Sequence, residues 1–225
     1  MKKIIFLILI FNLTHGCYSQ FNVGIKGGPS ISTIIYDQKT FVQRPVNTEL
    51  RIGIFGGLTF QYFGDKKIGL QFETLYIQKG FITEFDSLNN TRYERSIDYI
   101  SVPFLMHAYF GKKSFNISLL LGPYTSYAMS SKEFLTEGTV KTGRSYEFDP
   151  EIDNRFEFGL QGGIGLRNTF KFGIIEIQGI FSFTFTGLYK WNAVNKDPEM
   201  DRFFELPELA QSQGYQISVS YYYPF

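Results

Sequence analysis

The fold is decided by the C-terminal segment Gly214-Tyr215-Gln216-Ile217-Ser218-Val219-Ser220-Tyr221-Tyr222-Tyr223-Pro224-Phe225. Every second residue, from Tyr215 to Phe225, is apolar or aromatic, and the residues between them are mostly polar. This period of two predicts a β-strand with one apolar face. A closed transmembrane β-barrel ends on such a strand, because its last strand pairs with its first and leaves no free edge. We therefore expect a barrel whose apolar faces meet lipid.

The composition of the 225-residue chain agrees with this expectation. Its length suits one domain, and a net charge of +1 gives no sign of nucleic-acid binding. The chain contains 25 Phe, 15 Tyr and 22 Gly, yet its mean hydropathy is close to neutral. Many aromatic residues at a modest mean hydropathy favour half-apolar strands over continuous apolar helices.

Residues 1–19 are predicted to be a cleaved signal peptide. Two lysines precede an apolar run at residues 4–13, and small residues stand before a cut after Ser19. The run is too short to cross a bilayer as a helix, which needs about 20 residues. Lipid attachment at Cys17 is the alternative, although the residues before it fit such a site poorly. The barrel domain is then expected to span residues 20–225.

The remaining chain offers little for catalysis. Once residues 1–19 are removed it has no Cys and a single His, His107. This excludes disulfides, Cys nucleophiles and metal sites built from Cys or several His, so we expect no catalytic, cofactor or metal site. A hydrolase that uses His107 with Ser101 and Glu73 is the enzyme alternative, but nothing in their spacing fixes a triad. We expect that the protein is not an enzyme.

Eight segments show the alternation of a strand with one apolar face. Short polar turns follow the second, fourth and sixth segments, and long loops follow the first, third, fifth and seventh. This pattern predicts an all-β fold, an eight-stranded antiparallel up-and-down transmembrane β-barrel with short periplasmic turns and four long extracellular loops. The segments lie at about 21–32, 51–63, 68–81, 97–110, 115–128, 155–166, 172–188 and 214–225.

Aromatic residues cluster at two levels of the predicted strands, as they do at the two interfaces of a membrane. The alternative is a soluble, calycin-like eight-stranded barrel, which would turn its apolar face inward. The predicted belt near the short turns contains Tyr62, Phe63, Tyr109, Phe110, Phe115, Phe170, Phe172, Tyr221, Tyr223 and Phe225. The predicted belt near the long loops contains Tyr76, Phe81, Tyr127, Phe185 and Tyr189.

Three prolines mark local irregularities. Pro103 interrupts a predicted strand, and a β-bulge there would accommodate it. Asp197 and Pro198 suit the cap and the first position of a short helix in the last loop. Pro224 cannot donate a backbone hydrogen bond, so regular pairing of the last strand should stop one or two residues before the end.

Several segments resemble the outer-membrane β-barrel family common in Bacteroidota, the "porin family" that includes PorT-type proteins. The resemblance covers essentially the whole chain after the signal peptide, and its third and fourth strands are the most specific part. It implies an eight-stranded barrel in the cell outer membrane, with multiple membrane passes. It also implies that the terminal Phe225 is the signal read by the barrel-insertion machinery. The segments are 24–28, 70–80, 98–105, 122–124 and 158–163.

Ionisable residues on the polar faces should point into the lumen. An eight-stranded barrel has an interior just wide enough for side chains, and charges inside it need partners. We expect a polar network that fills the lumen, with a proton or ion path as the alternative. The residues of this expected network are Lys26, Arg51, Glu73, Lys79, His107, Arg155, Glu157 and Glu176.

The sequence therefore predicts an integral outer-membrane protein with a structural or surface-interaction role. A small porin or channel, or a type IX secretion accessory protein like PorT, are the alternatives. The expected partners are outer-membrane lipid, the barrel-insertion machinery and an envelope or secretion-system protein, with no nucleic acid.

Overall fold

The computed structural model describes residues 20–36, 47–64, 67–85, 91–112, 114–190 and 210–224. The predicted signal peptide, the predicted helix at Asp197 and Pro198, and Phe225 lie outside these ranges. Within the described ranges, no helix is long and apolar enough to cross a membrane. The strands are β1 (Gln20–Tyr36), β2 (Asn47–Glu49), β3 (Arg51–Phe63), β4 (Ile68–Phe85), β5 (Thr91–Lys112), β6 (Phe115–Glu137), β7 (Val140–Tyr146), β8 (Phe156–Phe170), β9 (Gly173–Gly187) and β10 (Ala210–Pro224).

Eight of these strands close into a ring. The order is β1-β3-β4-β5-β6-β8-β9-β10, with β10 paired to β1, and every pairing is antiparallel. The short strands β2 and β7 stand outside the ring order and pair with the far ends of β4 and β6. The predicted eight-stranded up-and-down barrel is confirmed.

The seam between the first and last strands keeps one register along its length. It runs from the pair of Asn22 with Pro224 to the pair of Tyr36 with Ala210, and the ladder omits the rows at Gly28 and Pro29. The last described pair is formed at Pro224, and the predicted end of regular pairing falls on Phe225, which lies outside the described residues. Because both sides of β1 are paired, the barrel has no edge at its seam.

The burial of the strands is inverted relative to a soluble protein. On β10, Ile217 and Val219 are each 56% exposed, whereas Gln216 is 4% and Ser218 is 1% exposed. The same alternation of exposed apolar and buried polar residues recurs around the ring. An apolar outer surface of this extent is stable against lipid and unfavourable in water, which argues against the soluble calycin-like alternative.

The aromatic belts are smaller than predicted. Phe63 and Tyr109 near the short turns are buried, and so is Phe81 near the long loops. Tyr189 is partly buried and packs against the hydrophobic cluster at the long-loop end. Phe63, Tyr109 and Phe81 fall on the inward side of the alternation, and Tyr189 lies beyond the end of β9, so the assignment of these four residues to the outer belts was wrong. The exposed members near the short turns include Tyr62, Phe110, Phe115, Phe170, Phe172, Tyr221 and Tyr223, and those near the long loops include Tyr76, Tyr127 and Phe185.

The strands extend further at the long-loop end than predicted. Much of the predicted loops at residues 82–96 and 129–154 is paired, as the ends of β4, β5 and β6 and as β7. These loop predictions were wrong because polar and charged residues there were read as unpaired chain. Ladder hydrogen bonds do not need apolar side chains, so a strand that leaves the membrane can remain paired in water.

Pro103 does not require the predicted bulge. The ladder between β4 and β5 omits the row at this residue, between the pair Phe72 with Phe104 and the pair Leu75 with Ser101, without a change of register. On its other side Pro103 lies opposite Tyr124 in the ladder with β6. Loss of one donor therefore interrupts a single ladder. The register shift between β5 and β6 occurs at Asp98 and Tyr99 instead.

Packing inside the barrel predicts a large effect of a single methyl group. A Cβ added at Gly24 would lie 2.4 Å from the Tyr221 carbonyl oxygen and 2.6 Å from the buried Tyr222 ring. We expect Gly24→Ala to lower the free energy of unfolding by about 1–3 kcal/mol, measured by urea titration of the folded band in gel-shift assays. Gly179→Ala is the matched control, because its added Cβ meets no atom within 4 Å. Equal stability of the two variants would contradict the packing described.

Candidate functional site

The lower half of the interior, next to the short turns, contains a set of buried polar side chains that we call the lower network. Each of the eight strands of the ring contributes at least one member. Inward-pointing positions of neighbouring strands bring these residues to one level of the lumen. The members are Lys26, Thr59, Gln61, Gln71, Glu73, His107, Tyr109, Ser118, Arg167, Glu176 and Tyr222.

Glu176 on β9 is the centre of the lower network. Its Oε1 accepts a hydrogen bond from Ser118 Oγ at 2.7 Å and lies 3.2 Å from His107 Nε2. Its Oε2 accepts hydrogen bonds from Gln61 Nε2 at 3.2 Å and from the Tyr109 hydroxyl at 3.5 Å. These partners belong to β3, β5 and β6, none of which is next to β9 in the ring. Glu176 therefore connects strands that share no ladder with its own.

A second branch begins at the first strand. Lys26 Nζ lies 2.8 Å from Glu73 Oε1, and both side chains are almost completely buried. Gln71 donates to the same carboxylate oxygen, and its own side-chain oxygen accepts from Gln61 Nε2 at 2.8 Å. Because Gln61 also contacts Glu176, the two branches form one network.

The buried charges of the lower network are balanced. Arg167 donates to Gln61 Oε1 at 2.9 Å and to the Tyr109 hydroxyl. Together with Lys26 it offsets the carboxylates of Glu73 and Glu176. Removal of an ion from water costs several kcal/mol, which partners must offset. The partners found here supply part of this compensation, and Glu73 Oε2 is buried without a hydrogen-bond partner among the described residues.

A separate ion pair lies nearer the long-loop end. Lys79 Nζ is 2.6 Å from Glu157 Oε2, and both side chains are 5% exposed. The ammonium group also lies over the rings of Tyr99 and Tyr124, at 5.1 and 5.0 Å from their centroids. The Tyr124 hydroxyl is 2.6 Å from Thr184 Oγ1. Two aromatic faces and one carboxylate thus surround this cation.

Along β4, apolar side chains separate the lower network from the Lys79–Glu157 pair, whereas the buried Gln161, Gln178 and Gln216 continue the polar interior along β8, β9 and β10. Along β4, the inward residues from the short-turn end are Glu73, Leu75, Ile77 and Lys79, in that order. Six buried apolar side chains occupy this middle level in two clusters. The first cluster is Phe55, Leu75 and Ile77, and the second is Leu105, Leu120 and Ile180.

The described part of the interior has little free space. A cavity of about 10 Å³ lies beside Lys79 and Glu157, with Tyr99 and Ser212 in its wall. This volume holds about one water molecule. Buried side chains occupy the lumen around this cavity.

Six of the eight expected lumen residues form the three close interior pairs Lys26–Glu73, His107–Glu176 and Lys79–Glu157. Arg51 instead lies 3.2 Å from Glu94 at the partly exposed long-loop end. Arg155 donates to the carbonyl oxygen of Ala128 at 2.8 Å. Arg51 is the first residue of β3 and Arg155 directly precedes the first residue of β8, so both lie at a strand end and away from the middle of the lumen.

Prediction from the sequence did not identify two cationic side chains, Arg167 and Arg95, as residues of the interior. Arg167 was assigned to a turn, and Arg95 to a loop, because the predicted strands ended too early. Arg95 is buried and contacts Asp153 at 3.4 Å. Continuing the alternation by two residues from Gly165 identifies Arg167, and continuing it back from Tyr99 identifies Arg95.

The triad that the hydrolase alternative would need is not assembled. Ser101 bonds to the Thr125 carbonyl oxygen and to Ser126, and Glu73 bonds to Lys26. His107 contacts Glu176 instead. Among the described residues, no three His, Cys, Asp or Glu side chains are grouped where they could hold a metal ion.

A polar cluster covers the long-loop end of the barrel. Asp153 accepts hydrogen bonds from the Tyr146 hydroxyl at 2.7 Å and from Arg95 at 3.4 Å. Arg95 also donates to the Tyr189 hydroxyl and stacks 3.9 Å from the centre of the Tyr146 ring. Burial raises the pKa of Tyr146 above its ordinary value, so its hydroxyl remains a donor to Asp153 at neutral pH.

Beyond this cluster, paired strand ends project past the ring as a sheet in the order β2-β4-β5-β6-β7. The part of this sheet formed by β5, β6 and β7 consists of the far ends of β5 and β6, paired with β7. The hairpin between β6 and β7 turns at Gly138, which has a positive φ of 57°. Residues 140–145 of β7 are all exposed. The sheet presents a defined surface to solvent at the long-loop end.

The Lys26–Glu73 pair predicts a difference between breaking and replacing a buried ion pair. We expect Glu73→Gln to lower the free energy of unfolding by about 3–5 kcal/mol, because the Lys26 ammonium then lacks its buried counter-charge. Adding Lys26→Met to this variant should recover most of the lost free energy of unfolding, since neither position of the former ion pair then carries a charge. Urea unfolding in lipid vesicles, followed by gel mobility, measures both. A double variant as unstable as Glu73→Gln alone would argue against this account.

Solved structures of outer-membrane proteins are similar to this chain at low identity. The attachment invasion locus protein Ail of Yersinia pestis is 13% identical, covers 90% of this chain and 98% of its own, and has a TM-score of 0.42. OprG from Pseudomonas aeruginosa is 13% identical, covers 90% and 95%, and has a TM-score of 0.46. The protease OmpT from Escherichia coli is 8% identical, covers 92% and 97%, and has a TM-score of 0.44.

The family is shown by a sequence comparison. A search of curated proteins gave no significant match. Residues 14–191 match the family model described as "Outer membrane protein beta-barrel domain", which covers well over half of the chain. The coarse part of the predicted resemblance is confirmed: the chain belongs to the outer membrane protein β-barrel domain family.

Proposed function

We propose that this protein is a closed outer-membrane barrel that conducts no solutes and acts through its long-loop end, as a structural or surface-interaction protein. The observation that carries this proposal is the filled interior. The lower network, six apolar side chains and the Lys79–Glu157 pair follow one another along the lumen. This favours a structural role for the interior charges over a proton or ion path.

The long-loop end supports the interaction part of the proposal. By the rule for bacterial barrels, short turns face the periplasm and longer connections face outward. The sheet formed by β5, β6 and β7 would then stand outside the cell. Its polar residues suit contact with water and a partner. Outer-membrane lipid is the proposed partner of the apolar barrel wall, and the insertion machinery that of Phe225.

A second candidate function is an accessory role in type IX secretion. Its support is the resemblance to the Bacteroidota outer-membrane barrel family, which includes PorT-type proteins and whose most specific segments in this chain are 70–80 and 98–105. An envelope or secretion-system protein would then be the partner. A deletion strain discriminates the two candidates: impaired processing of secreted proteins favours the accessory role, and unchanged processing removes it.

The filled interior predicts the outcome of electrical recordings. Purified protein added to planar lipid bilayers should give no conductance steps above background, because buried side chains fill the described lumen. A general porin in the same bilayers serves as the positive control, and heat-dependent gel mobility verifies that the added protein is folded. Reproducible single-channel steps from the folded protein would refute the non-conducting proposal and establish the small porin.

A further inference from the structure

The strand β7 has a free edge. It pairs with β6 on one side, and the described residues provide no ladder on the other side. Glu137 and Val140 are paired across the two-residue turn that closes the hairpin. Since hydrogen-bonding directions alternate along an antiparallel strand, Lys141, Gly143 and Ser145 direct their N–H and C=O groups away from β6. These groups form a template on which another extended chain can pair.

The free edge carries exposed positive charge. The side chain of Arg144 is 80% exposed and that of Lys141 is 55% exposed. Their carboxylate partners are more covered, with Glu133 9% and Glu94 21% exposed. The segment 140–146 itself contains no acidic residue. An approaching chain therefore meets the two cations before it meets the acids that partly offset them.

The charges near the ends of β7 have the opposite sign. Glu137 precedes the turn and Glu147 follows the strand, and both are exposed. Lys132 on β6 lies opposite Ser145 and adds a further exposed cation near the end of β7 that precedes Glu147. The best complement to this pattern is a chain with carboxylates at its centre and without them at its ends.

A second copy of the same protein fits this edge poorly. Two barrels in one membrane have parallel axes, so antiparallel pairing of their β7 strands would require one barrel to be inverted. Any pairing of the two edges would also bring the Lys141 and Arg144 cations of both copies together, and like charges across a pair of strands are unfavourable. The charge pattern favours a different polypeptide.

We propose that the free edge of β7 binds an extended segment of another protein, a segment with central acidic residues, by adding it as a further strand to the sheet of β5, β6 and β7. The backbone of Lys141, Gly143 and Ser145 supplies the pairing. The side chains of Lys141 and Arg144 select the acidic sequence. This inference rests on the proposed surface-interaction role and specifies its partner.

The test uses full-length protein in detergent micelles and a fluorescent seven-residue peptide of threonine and valine with two central glutamates. Fluorescence anisotropy should show saturable binding that weakens as salt rises. The same peptide with two central lysines should bind about tenfold more weakly or not at all. Equal binding of the two peptides would overturn the proposed selectivity.

Ser145→Pro tests the strand-addition geometry. This substitution removes a backbone N–H that faces the free edge, but it removes none of the N–H groups that pair β7 with β6. We therefore expect about tenfold weaker binding of the glutamate peptide. Ser145→Ala, which keeps this N–H, is the matched control and should bind like the original protein. Unchanged binding by a folded Ser145→Pro variant would overturn the proposal. If the original protein forms dimers without the peptide and Ser145→Pro abolishes them, the edge binds a second copy of the chain. That result would also overturn the proposal.

A separate measurement distinguishes failure of this inference from failure of the proposed orientation. Thr142→Cys should react on whole cells with a membrane-impermeant maleimide, whereas Ser114→Cys, in a short turn, should react only after the outer membrane is opened. Labelling of Thr142→Cys without peptide binding refutes the edge site alone. The reverse labelling pattern refutes the proposed surface role as well.

Discussion

A charge inside a barrel of eight strands has almost no water to solvate it, so it must meet its counter-charge across the lumen. The contact of Lys26 with Glu73 and the several contacts of Glu176 satisfy this requirement. The narrow lumen also limits which residues can occupy the inward positions of the strands. Glycine and serine must lie beside the long polar side chains, since a lumen of this width cannot hold a large residue at every inward position. The outer wall follows from the same alternation, with apolar residues left for lipid.

The sequence was sufficient for the fold because a period of two is a direct consequence of strand geometry. It identified Lys26, Glu73 and Glu176 as inward residues without knowledge of any contact. It could not pair them, because distances across a lumen depend on strand tilt and stagger, which no local pattern records. Prediction from the sequence also failed at strand ends. Alternation placed Arg51 and Arg155 in the lumen although both lie where a strand begins. It missed Arg167 because β8 continues beyond its predicted end.

The interior and the projecting sheet have different roles. The interior contains many polar groups, and its ionisable side chains lie in close pairs such as Lys26–Glu73 and Lys79–Glu157, which argues for stability over catalysis or transport. The sheet beyond the ring has polar and charged residues in water, and one of its edges lacks a ladder among the described residues. A protein of this design separates the part that holds it in the membrane from the part that can meet other molecules. This division matches the proposed surface role.

The position of Glu176 has a consequence for how the barrel assembles. Its partners lie on β3, β5 and β6, while it belongs to the next-to-last strand of the ring. In a sheet that has not yet curled, these groups are far apart and must keep their water. Closure of the barrel is therefore the step at which the interior loses its water and the hydrogen bonds of Glu176 form together. The completed barrel gains cooperativity from this: no single strand can be withdrawn without exposing charges that belong to the whole ring.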